Sequence, residues 1–188
     1  MKYAEMNGGD LLLMVTISGP PGSGTTTLVE KIVASRDWKS INGGDVFREE
    51  ASRRGISVEE LSSIAKSDYD LDRKLDELLK KKMSSADSPE VVESRLSGWW
   101  AHKSNLNCLR VWISVSEEER ASRIQTREGG NFEDCLERSK RRQQDDKERY
   151  MGLYEIDLDD LSPYSLVIDA DDKDEDEVFR LVENMLEQ

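Results

Sequence analysis

The 188-residue sequence predicts an α/β fold built on a mostly parallel sheet covered on both faces. Three observations predict it. Short apolar runs rich in β-formers recur along the chain, and stretches with helical spacing separate them. The first run opens directly onto a glycine-rich loop, and a helix follows that loop.

LLLMVTIS (Leu11 to Ser18) is continuously apolar, as a strand buried on both faces requires. A helix follows the loop from Thr26 to Arg36. WKSIN is a short second strand, and GGDVFREEASRR opens another helix. Ser57 and Glu60 have the spacing of a capping box, which starts a helix toward Ser67. In DYDLDRKLDELLKKKM, Leu71, Leu75, Leu78 and Leu79 recur at helical spacing. PEVVES, entered from Pro89, is a third strand, and CLRVWISV (Cys108 to Val115) a fourth. Ser116 and Glu119 repeat the capping spacing before a helix to about Arg127. REGGNFED breaks that helix, and a long polar one runs from Phe132 to about Met151. YSLVIDA (Tyr164 to Ala170) is the fifth strand, and EDEVFRLVENML the closing helix.

Residues 1–10 read as a disordered N-terminal extension, with Met14 a plausible alternative start, and residues 11–188 as a single domain. No apolar run approaches the roughly 20 residues of a membrane span. MKYAEMNGGD lacks the basic flank and long apolar run of a signal peptide, so the expected place is the cytoplasm and no membrane partner is expected. Cys108 and Cys135 are too few and too isolated for a disulfide framework or a zinc site. His102 is the only histidine and reads as a surface residue, which leaves histidine-based catalysis almost no material. A dinucleotide fingerprint is absent as well.

The net charge of −13 argues against a general nucleic-acid partner. Its distribution is more informative. Between Arg120 and Arg149 stand nine Lys/Arg against seven Asp/Glu, a local +2 that leaves −15 for the remainder. An acidic protein that keeps one arginine-rich stretch points to a compact anionic ligand, although a solvated helix of alternating charge has the same composition.

SGPPGSGTTT (Ser18 to Thr27) has the spacing of a phosphate-binding loop. Gly19, Gly22 and Gly24 let the backbone turn so that successive N–H groups meet phosphate oxygens. The following helix adds its positive end, and Thr26 supplies a hydroxyl for Mg²⁺. The lysine that normally follows the last glycine is replaced by Thr25. That substitution removes a point charge and leaves the cradle, so another cation reaching the same oxygens can substitute in part. Glu93 ends the third strand, where an acidic residue can order metal-bound water, and Arg95 follows at the carboxyl edge of the sheet. Trp99 and Trp100 are available to stack on a base or to pack in the core. Arg142, Asp146 and Arg149 share one helical face that could hold a phosphate, or bridge internally.

NGGDVFR (Asn42 to Arg48) resembles the start of the monophosphate-binding segment of nucleoside monophosphate kinases, with Asp45 as its acidic residue and Arg48 as a bidentate phosphate clamp. VTISGPPGSG, NGGDVFRE, VVESRLSGWW, the Arg-x-x-x-Asp-x-x-Arg-Tyr run and YEIDLDDLSPYSLVID together resemble the short, archaeal type of cytidylate kinase, from about Val15 to the C-terminus. The resemblance implies a P-loop kinase fold, with a five-stranded parallel sheet flanked by helices. It also implies a helical monophosphate-binding segment near residues 45–85 and a short lid near 127–140. The implied reaction moves the γ-phosphoryl of ATP onto CMP or dCMP with Mg²⁺, in a protein expected to act as a monomer. By position, Gly19, Pro20, Pro21, Gly22, Ser23, Gly24, Thr25, Thr26 and Thr27 would hold ATP. Thr26 would meet the metal, and Glu93 would do so through water. Arg48, Arg142 and Arg149 would hold the acceptor phosphate, with Asp45 and Arg95 beside them and Asp146 on the nucleoside. Arg123, Arg127 and Arg142 would flank the transferring group. Two other readings stay open on the residues alone: a small kinase with a different acceptor, and a nucleotide-binding module without turnover.

Overall fold

Strand β1 (Val15–Ser18) is buried along its whole length and lies at the centre of a five-stranded sheet of order β2-β3-β1-β4-β5. In the computed structural model, which describes residues 12–65 and 69–188, every neighbouring pair of strands is parallel. The other strands are β2 (Ser40–Asn42), β3 (Val91–Glu93), β4 (Leu109–Ser114) and β5 (Leu166–Asp169). Helix α1 (Thr25–Arg36) follows the loop after β1, and α2 (Gly43–Arg54), α3 (Val58–Ala65) and α4 (Tyr69–Met83) lie between β2 and β3. The remaining helices are α5 (Ser97–Lys103), α6 (Glu117–Glu128), α7 (Phe132–Tyr154) and α8 (Glu175–Leu186).

The expected extension at residues 1–10 lies outside the described residues. The first strand begins at Val15, four residues after the expected Leu11, because its partner β3 spans only three residues and pairs Val15 with Val91. Helix α7 continues past Met151 to Tyr154, where Glu155 ends it in the left-handed region. Helix α5 was not anticipated: seven residues make two turns, too few to leave a readable apolar period. Both expected capping residues act as caps. Ser57 and Glu60 exchange bonds at 2.9 and 3.0 Å, whereas Ser116 accepts from the Glu119 N–H at 3.3 Å.

Adjacent residues of β3 face opposite sides, and the core divides accordingly. Val91 joins Val15, Ile17, Leu28, Ile32, Val182 and Leu186 under α1 and α8. Val92 joins Leu79, Met83, Trp100, Tyr150 and Ile156 on the other face. A bidentate Arg36–Glu183 pair, at 2.9 and 3.0 Å, ties α1 to α8 over the first core. Ala51, Leu61 and Leu71 form a third, small core that holds α2, α3 and α4 together.

Glu50 on α2 is only 3% exposed and accepts from Arg53 at both oxygens, at 2.7 Å each, and from Arg54 Nε at 2.6 Å. Arg53 first, then Arg54, holds its carboxyl down at about 2, from an ordinary 4.5. A depressed carboxyl contributes stability that is complete above its unfolded pKa and is lost as pH falls through its folded one. Glu50→Gln should therefore lower stability at pH 7 and flatten the acid limb between pH 4.5 and about 2, read as urea midpoints across that range. Identical acid limbs for the two proteins would remove the pair from the list of stabilising contacts.

Candidate active site

The chain leaves β1 and enters α1 through a loop whose backbone demands glycine. Gly22 and Gly24 have φ of 84° and 90°, and Gly19 runs so close to β4 that a Cβ would stand 2.9 Å from the Ile113 carbonyl oxygen. Gly24 is the N-cap of α1, and no side chain caps it. The first-turn N–H groups of the helix therefore remain available to an anion. Parallel pairing sets Ile17 beside Glu93, so the loop and the end of β3 open on the same side. There Thr26 Oγ1 donates to Glu93 Oε1 at 3.2 Å. These are hard oxygen donors of the kind Mg²⁺ takes one or two at a time, the rest coming from phosphate and water. Among the described residues no group of three or more His, Cys, Asp or Glu could hold a metal by itself. The Thr26–Glu93 pair thus fits an ion shared with a phosphate chain.

Two cavities meet at this point. The larger, about 1020 Å³, runs from Gly19 between α2 and α4 to α7, and its walls include Arg48, Phe47, Asp72, Asp76, Arg149 and Tyr150. The smaller, about 400 Å³, lies over Pro20, Pro21 and Gly22 against Arg127, Arg138 and Ser139. Thr25, Thr26, Glu93, Arg95 and Arg142 belong to both walls. The shared boundary therefore contains the loop threonines, one carboxylate and two guanidinium groups.

The arginines differ in how far they are committed. Arg95 Nε donates to Asp146 Oδ2 at 3.0 Å, and its Nη1 donates to the Gly19 carbonyl. Arg149 Nη2 donates to Asp146 Oδ1 at 2.9 Å and to the Tyr150 hydroxyl at 3.0 Å. Burial, more than the Arg149 charge can offset, pushes the Tyr150 phenol up to about 12. Arg48 is held by Asp45 at 2.6 Å, and Asp45 also closes a capping box with Asn42. Arg127 pairs with Glu128 in the wall of the smaller cavity. Arg142 makes no hydrogen bond or ion pair among the described residues, although it borders both cavities.

Of the residues singled out from the sequence, Gly19 to Gly22, Thr25, Thr26, Arg48, Glu93, Arg95, Arg127, Arg142, Asp146 and Arg149 line one or both cavities. Thr27, Ser23, Gly24, Asp45 and Arg123 do not. Arg123 instead braces the loop from behind, donating to the Ser23 carbonyl at 3.4 Å and the Ala170 carbonyl at 2.6 Å. The option of base stacking by Trp99 and Trp100 is overturned. Helix α5 turns Trp100 into the second core, 3% exposed and 4.9 Å from Tyr154 edge-on, Trp99 packs against the same core, and neither indole lines the two cavities described. The segment expected as a lid, 127–140, comprises the end of α6 at Glu128, a short turn and the first turns of α7 from Phe132.

Two features escaped the sequence reading. Arg120 is 1% exposed and donates to the Pro21 carbonyl at 3.4 Å and Ser139 Oγ at 3.2 Å, which buttresses the loop from α6. Asp72 and Asp76 enter the larger cavity from α4, and the Tyr154 hydroxyl donates to Asp76 Oδ2 at 2.6 Å. No motif marked them, and only the alternation of α4 around its leucines could have drawn attention to that face.

The family model that matches the chain is described as an AAA domain and covers residues 18–151. A curated cytidylate kinase of Archaeoglobus fulgidus is 38% identical over 170 residues, which is 90% of this chain and 92% of that protein. A cytidylate kinase of Haloarcula marismortui is 36% identical over 158 residues, 84% of this chain and 81% of its own length. Among solved structures, an uncharacterized protein from Eubacterium ventriosum has a TM-score of 0.72 at 17% identity, covering 93% of this chain and 98% of that one, a likeness of fold alone. Two cavities joined at a phosphate loop are what transfer between two nucleotides requires, and the identity spans nearly the whole chain: it belongs to the cytidylate kinase family.

Proposed function

We infer that this chain transfers the γ-phosphoryl of ATP to CMP or dCMP, giving ADP and CDP or dCDP. The observation that carries the reading is the shared boundary, where Thr25, Thr26, Glu93, Arg95 and Arg142 face both cavities at once. In this reading ATP places its phosphates over the loop in the smaller cavity, and the acceptor fills the larger one. The backbone N–H groups of the loop and α1 bind the donor phosphates. Arg48 and Arg149 clamp the acceptor phosphate, and Arg95 and Asp146 set the position of Arg149 from the opposite side. A Mg²⁺ ion bound by Thr26, and by Glu93 through water, would neutralise charge on the donor phosphates. No general base is needed, because the acceptor is already a phosphate anion. We place the reaction in a cytoplasmic monomer, with residues 45–85 as the monophosphate-binding segment.

Arg142 supplies the explanation for the missing lysine. Its guanidinium has no hydrogen bond or ion pair among the described residues and borders both cavities, so it can follow charge as it moves from donor to acceptor. Arg127 and Arg138 add positive charge on the donor side.

A coupled ADP-release assay with ATP and CMP, dCMP, UMP or AMP tests the whole reading. CMP and dCMP should be the best acceptors by one or more orders of magnitude over UMP. Equal turnover of AMP and CMP would end it. Thr26→Ala should lower kcat on the order of 10²-fold, the scale of losing one preorganised charge-stabilising contact. Thr25→Lys should change kcat by less than about tenfold, since arginines already neutralise the same oxygens. A wild type inactive on every monophosphate and switched on by Thr25→Lys would mean that the loop has decayed. Arg142→Ala should lower kcat by roughly 10²- to 10³-fold with a small effect on ATP binding, and Arg142→Lys should recover only part of the loss.

A further inference from the structure

Asp72 and Asp76 stand one turn apart on α4, both in the wall of the larger cavity. Carboxylates gain nothing from a phosphate ligand. Each calls for a hydrogen-bond donor. Asp72 has a cationic neighbour in Arg149, whose Nη1 lies 3.8 Å from its Oδ2. Asp76 receives the Tyr154 hydroxyl at Oδ2, 2.6 Å away, and no other hydrogen bond among the described residues. Its second oxygen therefore has no donor among the described residues and borders the cavity, open to a ligand's donor. Burial, and then the nearby charge of Asp72, raise the Asp76 pKa against the opposing pull of Tyr154, Lys80 and Arg149. The surrounding wall is Phe47, Leu75, Leu79 and Tyr150, apolar and aromatic surface of the kind that receives a flat ring. The arginines at the phosphate end and the carboxyl on α4 thus define a ligand with an anion at one end and a donor at the other.

We propose that Asp76 selects the base in the acceptor cavity, accepting a hydrogen of the exocyclic amino group of an aminopyrimidine monophosphate and so rejecting the keto analogue. The inference rests on the acceptor reading above. Cytosine presents an N4–H donor at the position where uracil presents the O4 acceptor. Against Asp76, the first completes a bond and the second sets two acceptors face to face. If the carboxyl keeps its proton on Oδ2, the Oδ1 carbonyl still takes N4–H, and the preference is the same. Tyr154 is a positioning residue: by holding Oδ2 it leaves Oδ1 for the ligand.

This arrangement makes a directional prediction. In Asp76→Asn the carboxamide oxygen still takes the Tyr154 hydroxyl, which turns the NH₂ group toward the ligand. That donor opposes cytosine N4 and suits uracil O4. The ratio of kcat/KM for CMP over UMP should fall at least about tenfold, with the KM for ATP unchanged and UMP turnover rising. Tyr154→Phe in the Asp76→Asn background should free the amide to rotate and restore part of the CMP preference. Should Asp76→Asn not fold, Asp76→Ser removes the carboxyl while keeping a hydroxyl for Tyr154, and its CMP-to-UMP ratio should also fall about tenfold. A wild type that does not prefer CMP would sink the kinase reading and this inference together. A CMP-selective wild type whose Asp76 variants keep that selectivity within about twofold would overturn the inference alone. So would a changed CMP-to-dCMP ratio with CMP over UMP intact, which would move Asp76 to the sugar.

Discussion

Asp146 accepts from Arg95 at 3.0 Å and from Arg149 at 2.9 Å, and Arg95 continues to the carbonyl of Gly19. One carboxylate thereby joins the phosphate loop, the residues after β3 and the long helix α7. Without it, two guanidinium groups would lie in the same cavity with like charges facing each other. With it, they are spaced and oriented before any ligand arrives, which is the condition for electrostatic stabilisation at low reorganisation cost. Asp146 is well shielded, its side chain 13% exposed, so the pairing is less screened than a surface bridge. The rest of the site is arranged around this pair.

The charge pattern of the whole chain follows the same logic. A protein of net charge −13 would repel nucleotides if its arginines were scattered. Here they converge on the carboxyl edge of the sheet from β3, α6 and α7, and most carry a carboxylate or carbonyl partner that fixes direction. Arg142 is the exception. Without a hydrogen-bond partner among the described residues, it leaves a cation at the boundary between the two cavities, in a chain whose loop lacks the usual lysine. The loop itself is supported from behind by Arg120 and Arg123, which donate to its Pro21 and Ser23 carbonyls and so hold its shape.

The outer wall of the larger cavity is built differently. Helices α2, α3 and α4 share a small core of Ala51, Leu61 and Leu71, apart from the two cores that flank the sheet. They contribute Arg48 from one wall and Asp72 and Asp76 from another, so the shape of the larger cavity depends on how these helices sit against α7. The Tyr154–Asp76 bond and the Arg149–Asp72 approach both cross that junction.

Much of the fold was legible in the chain alone. Apolar β-forming runs announced all five strands, and the capping residues Ser57 and Ser116 marked two helix starts, because backbone hydrogen bonding and local burial leave a short-range imprint. Gly19, Gly22, Gly24, Thr26 and Glu93 were legible as a constellation for a related reason: a glycine-rich loop is local in sequence, and Glu93, which accepts from Thr26, sits at the end of a recognisable strand. Helix α5 left no such imprint, being two turns long, and Trp99 and Trp100 could not be assigned to core or ligand without the direction in which that helix turns. Asp76 is the clearest case. On α4 it is one acidic residue among several between leucines, and it acquires meaning only when Tyr154, 78 positions later, donates to one of its oxygens. Asp146 was singled out with Arg149 on one helical face, but its pairing with Arg95, 51 positions earlier, left no trace in the sequence. The chain by itself determined the sheet and the phosphate loop, whose causes are local. The tertiary structure alone decided which charges face one another across the cavities, because that depends on contacts between residues far apart in sequence.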